Sequence, residues 1–247
     1  AHRQLGRLIG LTVLIPMIYF TFKNGFWVVK KYGIIFFLVC LQGFIGWYMV
    51  SSGLVDRIDV SHYRLAIHLV TAFIILSIVY WQFLKLSSSS NQTISINLFI
   101  VTIFLVLLFL QLIIGAFVSG MDAGKIYNTW PLMGVNYFPD DSSFNEFLNL
   151  KVFDNPSIVQ FIHRNLAYLI IIFYALILFK VINTGNNKLY KPISVIGLTL
   201  AFQIFLGVIT ILSGVKMLFA SLHQINSILI ILSTLYFLFI SKYKKTD

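Results

Sequence analysis

A chain of 247 residues that is 59% hydrophobic and only 11% charged has too few polar side chains to coat a water-soluble core. Its net charge of +10 invites a nucleic-acid reading, but the charge sits at the ends of apolar runs, and that placement excludes it. The single cysteine, Cys40, lies inside an apolar run, so no intrachain disulfide can form.

A membrane span needs about 20 mostly apolar residues. Seven stretches qualify, in chain order 5–22, 33–51, 65–86, 94–118, 158–180, 192–214 and 217–241. The first is the weakest, because Arg3 and Arg7 stand at its start. No cleavable signal peptide precedes it in the given sequence. The polar run Ser87-Ser88-Ser89-Ser90-Asn91-Gln92-Thr93 reads as a linker. It divides the chain into a first half, 1–86, and a second half, 94–241. The longest connection, 119–157, is long enough to be functional. Its Phe144, Phe147, Leu148 and Leu150 predict a short helix lying on the membrane surface, a lid that limits access of water.

If the spans alternate, Lys23, Lys30, Lys31, Lys85, Lys180, Lys188, Lys191, Lys242, Lys244 and Lys245 all fall on one side. By the positive-inside rule that side is the cytoplasm, or the matrix of a mitochondrion. The C-terminus then lies inside and residue 1 outside. The sequon at Asn91 falls on the inside and is discounted. Arg3, Arg7, Arg57, Arg64 and Arg164 stand on the outer side, against the rule. Pairing with Asp56 and Asp59, or snorkelling to headgroups, is the plain explanation for any one of them. As a group beside histidines they suit a clamp for carboxylates, which the planar guanidinium fork grips well.

The chain also repeats itself. His2-Arg3-Gln4-Leu5 returns as His163-Arg164-Asn165-Leu166, and the same offset pairs Gln42 with Gln203, Gly46 with Gly207, Ser52 with Ser213 and Gly53 with Gly214. His68 and His223 follow near the ends of the two repeats. An internal repeat sets the architecture. It predicts an all-α integral membrane protein of two pseudo-symmetric four-helix bundles. The span at 94–118 has no first-half counterpart, so an eighth span is expected before residue 1. His2, His68, His163 and His223 each enter a span from the outer side, at similar depth. Each is followed four residues later by a small side chain, Gly6, Ala72, Ala167 and Ser227, on the same helix face. Ionisable groups inside spans are functional candidates. Paired histidines in an apolar bundle are a common way to hold haem iron. Other metals usually draw carboxylate or thiolate ligands as well, and no acidic residue lies in any span. His62 precedes its span and has no repeat partner, so it reads as a surface residue.

At these positions the chain resembles the haem A synthases. The resemblance rests on His2-Arg3-Gln4-Leu5-Gly6-Arg7, Gly53-Leu54-Val55-Asp56-Arg57, Tyr63-Arg64-Leu65-Ala66-Ile67-His68, Asp122-Ala123-Gly124, Asn128-Thr129-Trp130-Pro131-Leu132-Met133, Gln160-Phe161-Ile162-His163-Arg164 and Leu222-His223-Gln224. The Asn128–Met133 loop looks like the alphaproteobacterial and mitochondrial branch. The resemblance implies a membrane-bound, haem-dependent oxidoreductase of cytochrome oxidase assembly. It implies that a ring methyl of haem O is oxidised to a formyl group by successive hydroxylations, giving haem A for terminal oxidases. It implies haem b on the iron ligands His163 and His223, with Arg164 beside it. Haem O would enter the first half at the active-site histidines His2 and His68, with Arg3, Arg7 and Arg64 as propionate clamps. The implied partners are haem O handed over by a haem O synthase, an electron donor and the lipid bilayer, with oligomers compatible and nucleic acid not. The implied location is the bacterial cytoplasmic membrane or the mitochondrial inner membrane, with haem sites near the outer face. A glutamate common in the family would fall before residue 1, and the cysteine pair of some members has no counterpart here.

Two rival readings use the same residues. A di-haem b electron-transfer protein fits the histidine count equally well, and an exchangeable haem in one half separates it from a synthase. A transporter fits the repeat, but no span except the one holding Pro16 is broken at mid-depth.

Overall fold

The computed structural model describes residues 2–51, 60–87, 98–149 and 151–242. Each predicted span is one helix: α1 (His2–Asn24), α2 (Trp27–Ser51), α3 (His62–Ser87), α4 (Leu98–Gly120), α5 (Pro156–Thr184), α6 (Asn187–Leu212) and α7 (Met217–Lys242). All seven are long and apolar enough to cross a bilayer. In hydrocarbon a helix satisfies its own backbone, which is why apolar runs of this length adopt no other form. The chain is an all-α integral membrane protein. Large apolar side chains such as Phe22, Phe99 and Leu198 stay exposed, as lipid-facing positions require.

Helix ends follow local chemistry. α5 starts two residues before its predicted span because Asn155 caps it, accepting bonds from the Ser157 and Ile158 amides, with Pro156 in the first turn. It runs on to Thr184 and stops at Gly185, whose φ of 61° suits a residue without Cβ. Asn186 at once caps α6 by accepting from the Lys188 amide. Gly25, with φ 91°, ends α1 in the same way. α3 begins at His62, earlier than expected, so this histidine is half-buried in the first turn, its ring 4.1 Å from that of Tyr63.

The chain forms two compact units, Ala1–Val79 and Tyr80–Asp247. The polar stretch that the sequence offered as the boundary lies, from Ser88 onward, outside the described residues. The dividing line falls earlier, inside α3, because the aromatic end of that helix packs into the second unit: Trp81 meets Phe239 edge to face at 5.3 Å. In the first unit α1 lies against α2. In the second, α4 packs on α5 and α7, and α6 packs on α5 and α7, closing a four-helix bundle. Its core is dry and close-packed around Val101, Phe104, Ile158, Ile177, Ile231 and Phe237.

The connection between α4 and α5 is folded. It carries three short 3-10 turns, Ala123–Lys125, Phe144–Leu148 and Val152–Asp154. The expected surface helix is the middle one, shortened to Phe144–Leu148, and Leu150 lies outside the described residues. Phe138 stacks on Phe144 at 4.2 Å and meets Phe161 of α5 edge to face at 5.1 Å. These aromatic contacts bend the segment back onto α5. Phe144 and Leu148 keep 70% and 88% of their surface exposed, so the turn carries an open apolar face.

Candidate haem-binding histidine pairs

Each unit brings two histidines together. In the first, the rings of His2 and His68 are 6.4 Å apart, centroid to centroid. In the second, those of His163 and His223 are 6.5 Å apart. His2 opens α1 and His68 lies in the second turn of α3, while His163 and His223 lie within the first three turns of α5 and α7. Among the described residues no cluster of three or more His, Cys, Asp or Glu could hold a bare ion. Each site therefore offers two nitrogen ligands among the described residues.

The neighbouring helix shapes the place of three of these rings. Gln42 donates to the His68 carbonyl oxygen at 2.9 Å, with its amide nitrogen 3.2 Å from Nδ1 and 3.5 Å from Nε2. Gln111 donates to the His163 carbonyl oxygen at 3.0 Å, and the same nitrogen lies 3.4 Å from His163 Nε2. Gln203 approaches His223 Nε2 at 3.2 Å, while His223 Nδ1 donates to the Gln203 carbonyl oxygen at 3.1 Å. One turn after each glutamine stands a glycine: Gly46, Gly115 and Gly207. A Cβ there would lie 2.8, 3.2 and 3.1 Å from the Cε1 of His68, His163 and His223. The missing side chain is thus the space in which each imidazole lies. The repeat showed Gln42 with Gln203 and Gly46 with Gly207, but not that they touch the histidines. The readable signal was a glutamine inside an apolar span with a glycine four residues on, three times over.

The arginines divide. Arg164 is buried at 8% exposure and holds the connection between α4 and α5. Its Nη1 donates to the carbonyl oxygens of Thr129 and Leu132 at 2.9 and 3.2 Å, and its Nη2 to that of Tyr127 at 3.1 Å. Gln160, one turn earlier, donates to the same Tyr127 oxygen at 3.0 Å. Only Nε of Arg164 is left without a hydrogen-bond partner. Arg64 lies over the ring of Tyr48 at 4.9 Å, a cation–π contact. Arg3 and Arg7 are exposed on the first turns of α1, Arg7 reaching Gln4 at 3.4 Å. Arg57 lies outside the described residues, as do Ser52 and Gly53 of the repeat.

Asp141 ties the connection down a second time. It accepts from Tyr127 Oη at 3.0 Å and from Ser157 Oγ at 2.7 Å. Burial raises its pKa, but the hydrogen bonds from Ser157, Tyr127 and Ser142 outweigh that and hold the carboxyl below its usual range. The Tyr127 hydroxyl is pushed up, by burial and by its bond to Asp141.

Comparison with known proteins places this geometry in context. Residues 1–235 match the cytochrome oxidase assembly protein family. The chain is 47% identical to the haem A synthase of Pelagibacter ubique over 245 residues, covering 98% of this chain and 71% of that protein. It is 43% identical to the haem A synthase of Wolbachia pipientis, covering 96% and 68%. It is 38% identical to that of Rickettsia bellii, covering 93% and 70%.

Proposed function

Because the chain belongs to the cytochrome oxidase assembly family that includes the haem A synthases, we propose that its two histidine pairs divide the work of converting haem O to haem A. The protein is a membrane-bound oxidoreductase that makes haem A, with haem O as substrate and a haem-type cofactor. In our reading His163 and His223 hold haem b, and His2 and His68 bind haem O. The observation that carries this is the matched ring spacing in the two units. Two imidazoles that would share one iron need ring centres about 6 Å apart. Both pairs fit that requirement. A porphyrin supplies the remaining ligands, which is why two histidines suffice.

The residues then have separable tasks. His223 donates Nδ1–H to a backbone carbonyl, so its lone pair is on Nε2 and available to iron. His223 would hold haem iron through Nε2, the atom that the Gln203 carboxamide now faces at 3.2 Å. Gly46, Gly115 and Gly207 let the Cε1 edges of the imidazoles close on the neighbouring helix. Arg164 keeps the 127–132 segment folded over the start of α5 and leaves Nε for a propionate oxygen. Arg3, Arg7 and Arg64 are candidate cations for propionates in the first unit. When bound, haem iron supplies the chemistry that attacks a methyl C–H bond. The protein orients that methyl and excludes water with the outer connection.

The test is pigment analysis of single variants. His163→Ala and His223→Ala should each abolish the low-spin haem b spectrum while the protein still inserts. His68→Ala should keep haem b yet stop the appearance of haem A in cells. Unchanged haem b in both second-unit variants sinks the assignment. The close likeness of the two pairs also favours one other reading, a di-haem b electron carrier. Haem b alone, at two per chain, is the pigment content that would establish it.

A further inference from the structure

The turn Phe144–Leu148, between α4 and α5, has five residues, too few to hold a place at a bilayer by a helical face of its own. It is held by α5 instead. Glu146 accepts from the Ser143 amide at 2.9 Å and from the side chain of Asn155, the residue that caps α5. Asn155 also donates to Ser142 Oγ at 3.2 Å. These bonds tie the polar side of the turn to the start of the helix. The apolar side continues down it. Phe138 and Phe147 meet Phe161 at 5.1 and 6.4 Å, and Phe144 stacks on Phe138 at 4.2 Å. One helical turn further on, Tyr137 Oη donates to the Asn165 carboxamide oxygen. Phe161 and Asn165 head one particular face of α5. At about 3.6 residues per turn, Ile172, Leu176 and Phe179 follow them on the same side, and all three are exposed. In a membrane-spanning helix that is the face turned to lipid, and residues 137–148 lie over its upper end.

Lengths set the depth. α5 has 29 residues, so it is about 44 Å long and exceeds a hydrocarbon core of about 30 Å by roughly 14 Å. Shared between the two ends, that excess puts the hydrocarbon boundary about five residues into the helix, at the level of Phe161. Asn165 then lies one turn inside it, where a bare carboxamide is costly. Its nitrogen donates to the Phe161 carbonyl oxygen at 2.9 Å and its oxygen accepts from Tyr137, so both ends have a partner. Phe144 and Leu148 stay exposed beside the same boundary, the depth at which such side chains enter a bilayer. We propose that residues 137–148 are a membrane-interface anchor, lying on the lipid-facing side of α5, inserting Phe144 and Leu148 into the acyl boundary and shielding Asn165 with Tyr137. The bilayer is then a further support of the connection, beside Arg164 and Asp141. The connection cannot lift from the start of α5 without drawing two apolar side chains into water. Asp140, Asp141 and Glu146 surround the turn with like charges. They disfavour anionic headgroups and a two-fold contact with a second copy, so the anchor is apolar and needs no lipid charge.

The experiment uses the full chain, with Cys40 replaced by Ser, in nanodiscs of phosphatidylcholine. A nitroxide is attached at Phe144→Cys, at Leu148→Cys or, as a reference in water, at the exposed Lys151→Cys. Labels at 144 and 148 should be open to collision with oxygen, which concentrates in hydrocarbon, and closed to a water-soluble nickel chelate. The label at 151 should show the reverse. The paired variant Phe144→Ser with Leu148→Ser should keep all its helices and raise amide hydrogen exchange across 137–148, roughly tenfold for each side chain that no longer enters lipid. Labels at 144 and 148 as open to the chelate as the label at 151 overturn the anchor. So does closure to both reagents, which means cover by protein. Line broadening that vanishes on dilution with unlabelled chain means a second copy and overturns it too. Unchanged exchange in the paired variant does the same, and if that variant does not accumulate the labels alone decide.

Discussion

Glycine is the residue on which the histidine sites turn. Adding one methyl at Gly46 puts a carbon 2.8 Å from His68 Cε1, closer than such contacts tolerate. The ring, not the backbone, must move. Gly46→Ala should therefore cut haem A production severely while the helices still insert, as checked by haem extraction against protein level. At Gly207 the corresponding gap is 3.1 Å, so a shift of a few tenths of an ångström relieves it. Gly207→Ala should keep haem b but broaden or shift its low-spin bands. Equal effects at both positions would mean that ring placement does not control either site. The histidines were legible in the sequence because they recur in apolar runs where an ionisable group is costly. The glutamines and glycines beside them were legible only as repeat marks, because touching across two helices depends on how each is rotated.

At the scale of elements, the outer connection is held by a few polar anchors on α5. Arg164→Leu removes three donated bonds, each worth about 1.5–3 kcal/mol when charged and buried. The segment around Tyr127–Leu132 should then become open to protease added from the outer side, with helix content unchanged. The Asp141 anchor gives this a pH dependence of known sign. Its folded-state pKa lies below the ordinary value, so the stabilisation is full above that value and is lost as the pH falls through the folded one. Proteolysis of the connection should stay flat from neutral pH downward and rise only below about pH 4. Asp141→Asn should show the acid-like susceptibility at neutral pH. A rise near pH 6 would point instead to histidine and refute this anchor.

For the whole molecule, the asymmetry of lysine predicts an orientation of the chain. We infer that the Gly185–Asn186 turn faces the cytoplasm or matrix and the 121–155 connection faces out. With Cys40 replaced by Ser, Asp140→Cys should react with a membrane-impermeant maleimide in intact cells. Asn186→Cys should react only after permeabilisation. The reverse pattern would invert the topology and place both histidine pairs near the inner face.

The number, kind and approximate ends of the helices were decided by the sequence itself. Apolar length against bilayer thickness leaves the backbone a single option, and Asn155, Gly185 and Asn186 mark helix ends through bonds to their own neighbours. The pairing of histidines could also be read, because an internal repeat carries equivalent residues to equivalent places. The duty of Arg164 could not. It stands beside a histidine in the sequence, as a carboxylate clamp would, yet its terminal nitrogens close on Tyr127, Thr129 and Leu132. Nor could the division of the chain inside α3, or the contacts of Gln42 and Gln203 with His68 and His223. These depend on which face of one helix meets which atom of another. The interval between two helices in sequence says nothing about their relative rotation and height. Close packing alone sets those, to within the few tenths of an ångström at which a donor and an acceptor meet.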